Sequence, residues 1–210
     1  LEINQPWDGL LALETERNLR AYLFLSIARV IPCKGSEPGK VVALIVTKDI
    51  WSLRPGFDFV LVGPQLQYLA LMFSEQNFLG RRKVVGIDFA LDLATYLAGQ
   101  RYRDPRLFGS RLSLGERFDV IWNKNSGALE GGIAQLSFEK PIYSLATHWG
   151  WGAYFDYQKN IYRQFAGGTI LSVGAPSTGE RVLYQYRQEI LETKAELTHS
   201  WGDEYKLQVG

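Results

Sequence analysis

The sequence predicts a mainly β chain, an antiparallel transmembrane β-barrel wall preceded by part of a small α+β module. The first observation behind this is the strict alternation of residues 85–94. Val85, Ile87, Phe89, Leu91 and Leu93 fall on one side of an extended chain, and Gly86, Asp88, Ala90, Asp92 and Ala94 on the other, because strand side chains switch faces at every residue. A helix would scatter those five large apolar residues around its circumference, so the period of two selects a strand. The second is that this segment follows a tight polar turn, residues 77–82. A turn followed by a dyad-patterned strand of about ten residues is the repeating unit of a transmembrane β-barrel. The third is the charge on the second face of nearly every such segment. A dry sandwich core would not tolerate those groups unpaired, whereas a water-filled lumen would.

Composition bounds the rest. The chain has 210 residues, 46% of them hydrophobic, but no apolar run approaching the roughly 20 residues of a membrane helix. A membrane role therefore runs through strands. The formal charge of +1 gives no support to nucleic-acid binding, which favours a concentrated basic patch. Six Trp, eleven Tyr and 21 Gly suit β-structure in which glycine and aromatics share faces. Cys33 is the only cysteine, which excludes an intrachain disulfide and a thiolate metal cluster. Residues 1–4 show no signal-peptide pattern, and the last residues stop within an alternating segment, so the chain reads as an internal piece of a longer protein.

Residues 8–24 read as a helix, with Leu19, Tyr22 and Leu23 on one face and Glu16 and Arg20 as an i,i+4 pair on the solvated side. Residues 26–51 read as a β-hairpin, two apolar strands around a Pro/Gly-rich turn at 32–39. Helix, strand, strand in so short a span buries too little apolar area to stand alone. A strand and a helix before Leu1 would complete the module.

From Phe57 the character changes to strands. Residues 57–62 form a short one, bounded by Pro55-Gly56 and Gly63-Pro64. Residues 65–74 form the next, followed by the 77–82 turn and the 85–94 strand. Residues 95–103 return to a second turn at 102–109, punctuated by Pro and Gly. Residues 111–122 alternate again. Leu112, Leu114, Phe118, Val120 and Trp122 face one way, with Glu116 the one break in their row, and Arg111, Ser113, Gly115, Arg117 and Asp119 face the other. After a polar loop at 123–127, residues 128–139 return to a turn at 140–144. Residues 147–157 place Trp149, Trp151, Ala153, Phe155 and Tyr157 outward and His148, Gly150, Gly152, Tyr154 and Asp156 inward. A long Gly/Ser-rich segment, 160–186, leads to a strand at 188–201, and a ninth strand starts beyond residue 205. Compact turns on one side and longer loops on the other match outer-membrane barrels, whose short side is periplasmic.

The chemistry-bearing residues favour a wall over an enzyme. Asp88 and Asp92, four apart on a strand, lie about 13 Å apart at about 3.3 Å per residue, beyond the reach of paired glycosidase acids. With Arg117, Asp119, His148 and Asp156 they read as lumen-facing. His148, Asp156 and Ser144 lack the GxSxG elbow of a hydrolase. Two histidines are too few for a metal cluster, and Gly131-Gly132 and Gly167-Gly168 lack a P-loop lysine and read as kinks. No catalytic residue, metal or cofactor is expected. Trp149 and Trp151, beside a compact turn, read as an interfacial aromatic girdle.

Three stretches, LETERNLR…TKDIWSLRPGF, EQNFLGRRKVVGIDF and YRDPRLFGSRLSLGERF, resemble the BamA/TamA-type outer-membrane β-barrel assembly proteins, the bacterial surface antigen family. In that family a periplasmic polypeptide-transport-associated (POTRA) module, ordered β-α-α-β-β, leads into a sixteen-stranded barrel. Asn77, Phe78, Leu79 and Gly80 match its turn between strands two and three. Asp104, Pro105 and Gly109 match its turn between strands four and five. The resemblance implies that residues 1–54 are the C-terminal part of the last POTRA module and that residues 57–210 are the first eight to nine strands of the barrel. It also implies a place in the bacterial outer membrane with the N-terminal part in the periplasm. The partners it implies are outer-membrane lipid, unfolded β-barrel clients and periplasmic lipoproteins or chaperones. The activity it implies is insertion of clients without covalent chemistry, through a weakly paired first strand, Phe57, Asp58, Phe59, Val60, Leu61 and Val62. A two-partner secretion translocator or a plain outer-membrane pore are the alternatives within the same architecture.

Overall fold

The computed structural model describes residues 5–144, 146–174, 180–202 and 207–209. Helix α1, Gly9–Arg20, starts where the Asp8 carboxylate accepts hydrogen bonds from the Leu10 and Leu11 amides at 2.8 and 3.3 Å, an N-cap that satisfies donors the helix cannot. Arg17 and Arg20 close its last turn, where cations complement the helix dipole. The helix ends four residues earlier than the 8–24 expectation. The Leu25 amide donates to the Tyr22 carbonyl, so Tyr22 and Leu23 belong to the turn that feeds the next strand.

That strand, β1 (Leu25–Lys34), pairs antiparallel with β2 (Val41–Asp49). The hairpin turn is residues 35–40, closed by Gly35 donating to the Lys40 carbonyl. Pro32 and Cys33, expected in the turn, lie within β1. Ala12 of α1 and Ala28 and Val30 of β1, with Phe24 before it, form a small buried core. Glu16 is a correction to the sequence reading: it is buried rather than solvated. Its carboxylate accepts the Val30 amide at 2.9 Å and pairs with Arg20 at 2.5 Å and Arg29 at 3.6 Å. A charged residue faces the sheet here because a strand amide and two guanidiniums satisfy it.

The main body is a nine-stranded antiparallel sheet in which consecutive strands are neighbours. It comprises β3 (Leu53–Val62), β4 (Gln65–Phe78), β5 (Lys83–Asp92), β6 (Thr95–Asp104), β7 (Ser113–Asn123), β8 (Leu129–Lys140) and β9 (Trp149–Arg163). Between β9 and the eighth wall strand lie two small hairpins, β10 (Phe165–Ala166) with β11 (Thr169–Ile170) and β12 (Ser172–Gly174) with β13 (Arg181–Leu183). The wall resumes with β14 (Gln185–Trp201), which pairs with β9, and β15 (Leu207–Val209). Among the described residues the sheet stays open, with β3 and β15 at its edges.

The alternation read from the sequence is present in space. Ile87 is 61% exposed while Asp88 is buried, and no second layer of the described chain covers the apolar face of β5. Two expectations are corrected. β3 begins at Leu53 and runs through Pro55 and Gly56, which pair with Phe73 and Met72. Proline is tolerated there because β3 is an edge strand. The loop asymmetry is also weaker than expected. The connections after β3 and β5 are two residues each, 63–64 and 93–94, against four to eight residues for 79–82, 105–112 and 141–148 at the other end. Only the β9–β14 connection is long, and β9 and β14, at 15 and 17 residues, exceed the roughly 9–11 that span a bilayer.

Candidate functional site

The polar face of the wall is held by glycines that make room for charge. Asp88 on β5 stands opposite Gly99 on β6, and Arg101 opposite Gly86. The Arg101 guanidinium reaches diagonally to Asp88, donating from Nε at 2.9 Å and Nη2 at 2.6 Å, a fork-on-carboxylate geometry. A Cβ at Gly86 would press on the Arg101 stem, and one at Gly99 would collide with the Asp119 carboxylate. Asp119, fully buried, is reached by Arg117 two residues earlier on β7, at 2.6 Å. The contact is an ion pair rather than an aligned hydrogen bond, since both Asp119 oxygens and the Arg117 Nε lack hydrogen-bond partners among the described residues. Further along, Gln135 donates to Asp156, and Glu196 accepts from Tyr154 at 2.8 Å and Lys194 at 2.6 Å.

Of the residues read as lumen-facing, Asp88, Arg117, Asp119 and Asp156 thus share one face and enter this network. Asp92 is at the end of β5, where its carboxylate accepts the Ala94 and Thr95 amides at 2.7 and 2.6 Å and the Thr95 hydroxyl at 2.8 Å; it ties the turn. His148 precedes β9 rather than lying in it, and its Nδ1 lies 3.0 Å from the Ser200 carbonyl. With His148 on Ser200 and Asp156 on Gln135, no Ser–His–Asp arrangement forms. Groups of acids, histidines and cysteine able to hold a metal are absent among the described residues.

At the two-residue-turn end, Arg163 makes a bidentate pair with Glu130 at 2.5 and 2.7 Å, both side chains buried, and Glu130 also accepts from Asn123. This pair fixes the point where β9 leaves the wall for the long connection. Phe165 then turns back over a cavity of about 310 Å³ with Tyr68, Leu97, Ile121, Ile133 and Asn160. A Cβ at Gly168 would strike the Gln65 amide, so the connection reaches across to the β3–β4 turn.

Strand β3 is the other notable element. Phe57 and Phe59 lie on its apolar face, 72% and 50% exposed, with ring centroids 6.4 Å apart. Asp58 opposes Ala70 and Val60 opposes Tyr68; a bulge between Val60 and Leu61 precedes the pairing of Leu61 and Val62 with Leu66 and Gln65. Only the β4 side of β3 is hydrogen-bonded among the described residues. Its base is tied to the helical module, for Arg54 donates to the Leu23 carbonyl at 2.7 Å.

The turns at 77–80 and 104–109 are built alike. Asn77 Oδ1 accepts the Arg82 amide, and the Arg81 amide closes onto the Phe78 carbonyl across Leu79 (φ 53°) and Gly80 (φ 69°). In the second, Asp104 accepts the Arg106 amide and pairs with Lys83 at 3.0 Å. There the Ser110 amide closes onto Leu107 across Phe108 (φ 52°) and Gly109 (φ 76°). Pro105 separates Asp104 from that turn. The sequence reading missed Lys83, Tyr102 and Asp104 as a polar cluster on the otherwise apolar face, with Lys83 also donating to Tyr102 at 3.0 Å. It also missed Arg101. The two-residue turn at 93–94 could have found it, since pairing about that turn sets residue 101 opposite 86.

No protein-family model matches the sequence, and no curated protein matches it. Among solved structures, the chain is similar to the crystal structure of BamA from Haemophilus ducreyi lacking POTRA domains 1–3, with a TM-score of 0.55 over 96% of this chain at 12% identity. The chain has a BamA-like fold. It spans 40% of that BamA structure's length. The likeness is one of fold and extends over nearly the whole of this chain.

Proposed function

We infer that this chain is the N-terminal half of the barrel wall, with the end of a POTRA module, of an outer-membrane protein assembly factor that folds and inserts β-barrel clients. The observation that carries this is β3. It is an edge strand with an unpaired side among the described residues, it displays two exposed phenylalanines, and it is joined at its base to a helix–hairpin module. An unpaired strand edge is a template for an incoming strand, and Pro55 within it removes one ladder donor and so weakens any standing partner. The reading involves no covalent chemistry and no cofactor. Unfolded β-barrel chains are the clients. The module, residues 1–54, meets clients and periplasmic lipoproteins or chaperones along β2.

The test is a disulfide from Val60→Cys to a cysteine on the last barrel strand of the full-length protein. Locked oxidised, it should stop accumulation of outer-membrane porins, with recovery on reduction. Normal porin levels with the lock closed would overturn the reading.

A further inference from the structure

The turns 79–82 and 105–112 break the usual rule for tight turns. A four-residue reversal, as at 78–81 and 107–110, whose two central residues both have positive φ takes Asn, Asp or Gly at its first central position, because a bulky side chain there crowds the following carbonyl. Leu79 and Phe108 occupy that position at φ 53° and 52°. They are 76% and 97% exposed, so intramolecular packing does not compensate them. Strain at two parallel positions, each displaying a large apolar side chain to the outside, marks a contact surface.

The same two turns carry arginines. With α1, Tyr143, Ser144 and Ala146 they enclose a groove of about 940 Å³, lined also by Trp7, Leu11, Tyr22, Arg82, Arg106 and Arg111, with Asp8 and Glu14 facing it. The two acids are engaged, Asp8 as the cap of α1 and Glu14 with Arg17 at 3.6 Å. Arg82 lies over the Tyr22 ring and donates to its hydroxyl, and Arg111 lies 4.1 Å from the Tyr143 ring centroid. None of the three arginines has a carboxylate within 4.0 Å among the described residues. Stacking on an aromatic ring fixes a guanidinium while leaving edge donors free, the arrangement suited to phosphate.

Depth decides the occupant. Arg106 and Arg111 lie two residues beyond the strand ends at Asp104 and Ser113, and Arg82 directly precedes β5. At about 3.3 Å per residue that is within about 7 Å of the wall's apolar aromatic row at Phe138 and Trp151, the thickness of one headgroup layer. We propose that these turns and the groove behind them form a phospholipid site. Arg82, Arg106 and Arg111 hold the phosphodiester of an anionic headgroup. The proposal rests on the membrane-barrel reading and not on client insertion.

The test is native mass spectrometry of the full-length protein released from mixed micelles containing either phosphatidylglycerol or phosphatidylcholine. Wild type should retain phosphatidylglycerol, and the R82Q/R106Q/R111Q variant should lose at least about tenfold of that retention. Equal retention of the two lipids by wild type, or unchanged phosphatidylglycerol retention in the arginine variant, overturns the proposal. A protein partner cross-linked through residue 108 with lipid retention unaffected overturns it equally.

Discussion

Asp119 and Gly99 show how one residue's small size makes room for another's carboxylate in this wall. The Asp119 side chain has no surface exposure, and among the described residues the guanidinium of Arg117 forms its ion pair; the space it occupies exists because position 99 lacks a Cβ. Gly99→Ala should therefore destabilise the folded wall by about 1–3 kcal/mol, the usual range for overpacking a filled site, read as a lower urea midpoint in detergent. Glu130 and Arg163 set a second residue-scale test. Both are buried and paired through two hydrogen bonds, so Arg163→Met should cost about 3–5 kcal/mol by stranding a buried carboxylate. The double change with Glu130→Leu should recover most of that loss. At the strained turns the sign reverses. Leu79→Asn or Phe108→Asn should each stabilise the protein by about 1 kcal/mol, the steric cost of a bulky left-handed residue, measurable as a higher unfolding midpoint.

The α1–β1–β2 unit depends on Glu16 in a pH-dependent way. The Val30 amide donating to the carboxylate holds it below its ordinary value of 4.5, burial opposes this, and Arg20 and Arg29 add to the lowering. A depressed carboxyl contributes stability that is fully present above the unfolded-state value and is lost as pH falls through the folded one. Protection of the Val30 amide from hydrogen exchange, taken relative to the intrinsic rate at each pH, should thus be high at neutral pH and fall on the acid side as Glu16 protonates. Glu16→Gln should abolish that acid-side fall. Periodicity alone placed Glu16 on the solvated face, since Leu19, Tyr22 and Leu23 were counted as one stripe. The chain leaves the helix after Arg20, which removes two of those three residues from the stripe and turns the helix so that Glu16 meets β1. In β3 the same kind of local reading failed at Pro55. Proline is a strand boundary in a central strand but not at an edge, and no local signal tells the two apart.

Across the whole molecule, the two faces of the nine-stranded sheet should respond oppositely to charge. Phe118, mid-strand on the apolar face and 47% exposed, should lose about 2–4 kcal/mol on change to Arg, the cost of a charge near the bilayer midplane. On the polar face Gln158, opposite Ile133 and Ile190, should accept Arg with little loss. Equal tolerance at both positions, measured by refolding into vesicles across a urea series, would remove the bilayer as the solvent of the apolar face.

The sequence by itself determined the strands, their order and which residues of each face together, because a side-chain period of two is a local property of the backbone and survives whatever the strand packs against. It also located the turns, since Asn77, Gly80, Pro105 and Gly109 constrain φ wherever they stand. Tertiary structure alone decided which charges meet: that Arg101 crosses to Asp88, that Arg163 closes on Glu130 about 110 Å of chain away at about 3.3 Å per residue, and that Lys83 joins Asp104 on the apolar face. Those contacts follow from register between strands. Register is fixed by turn length and by how closely neighbouring strands approach, and both are settled only when the sheet is assembled.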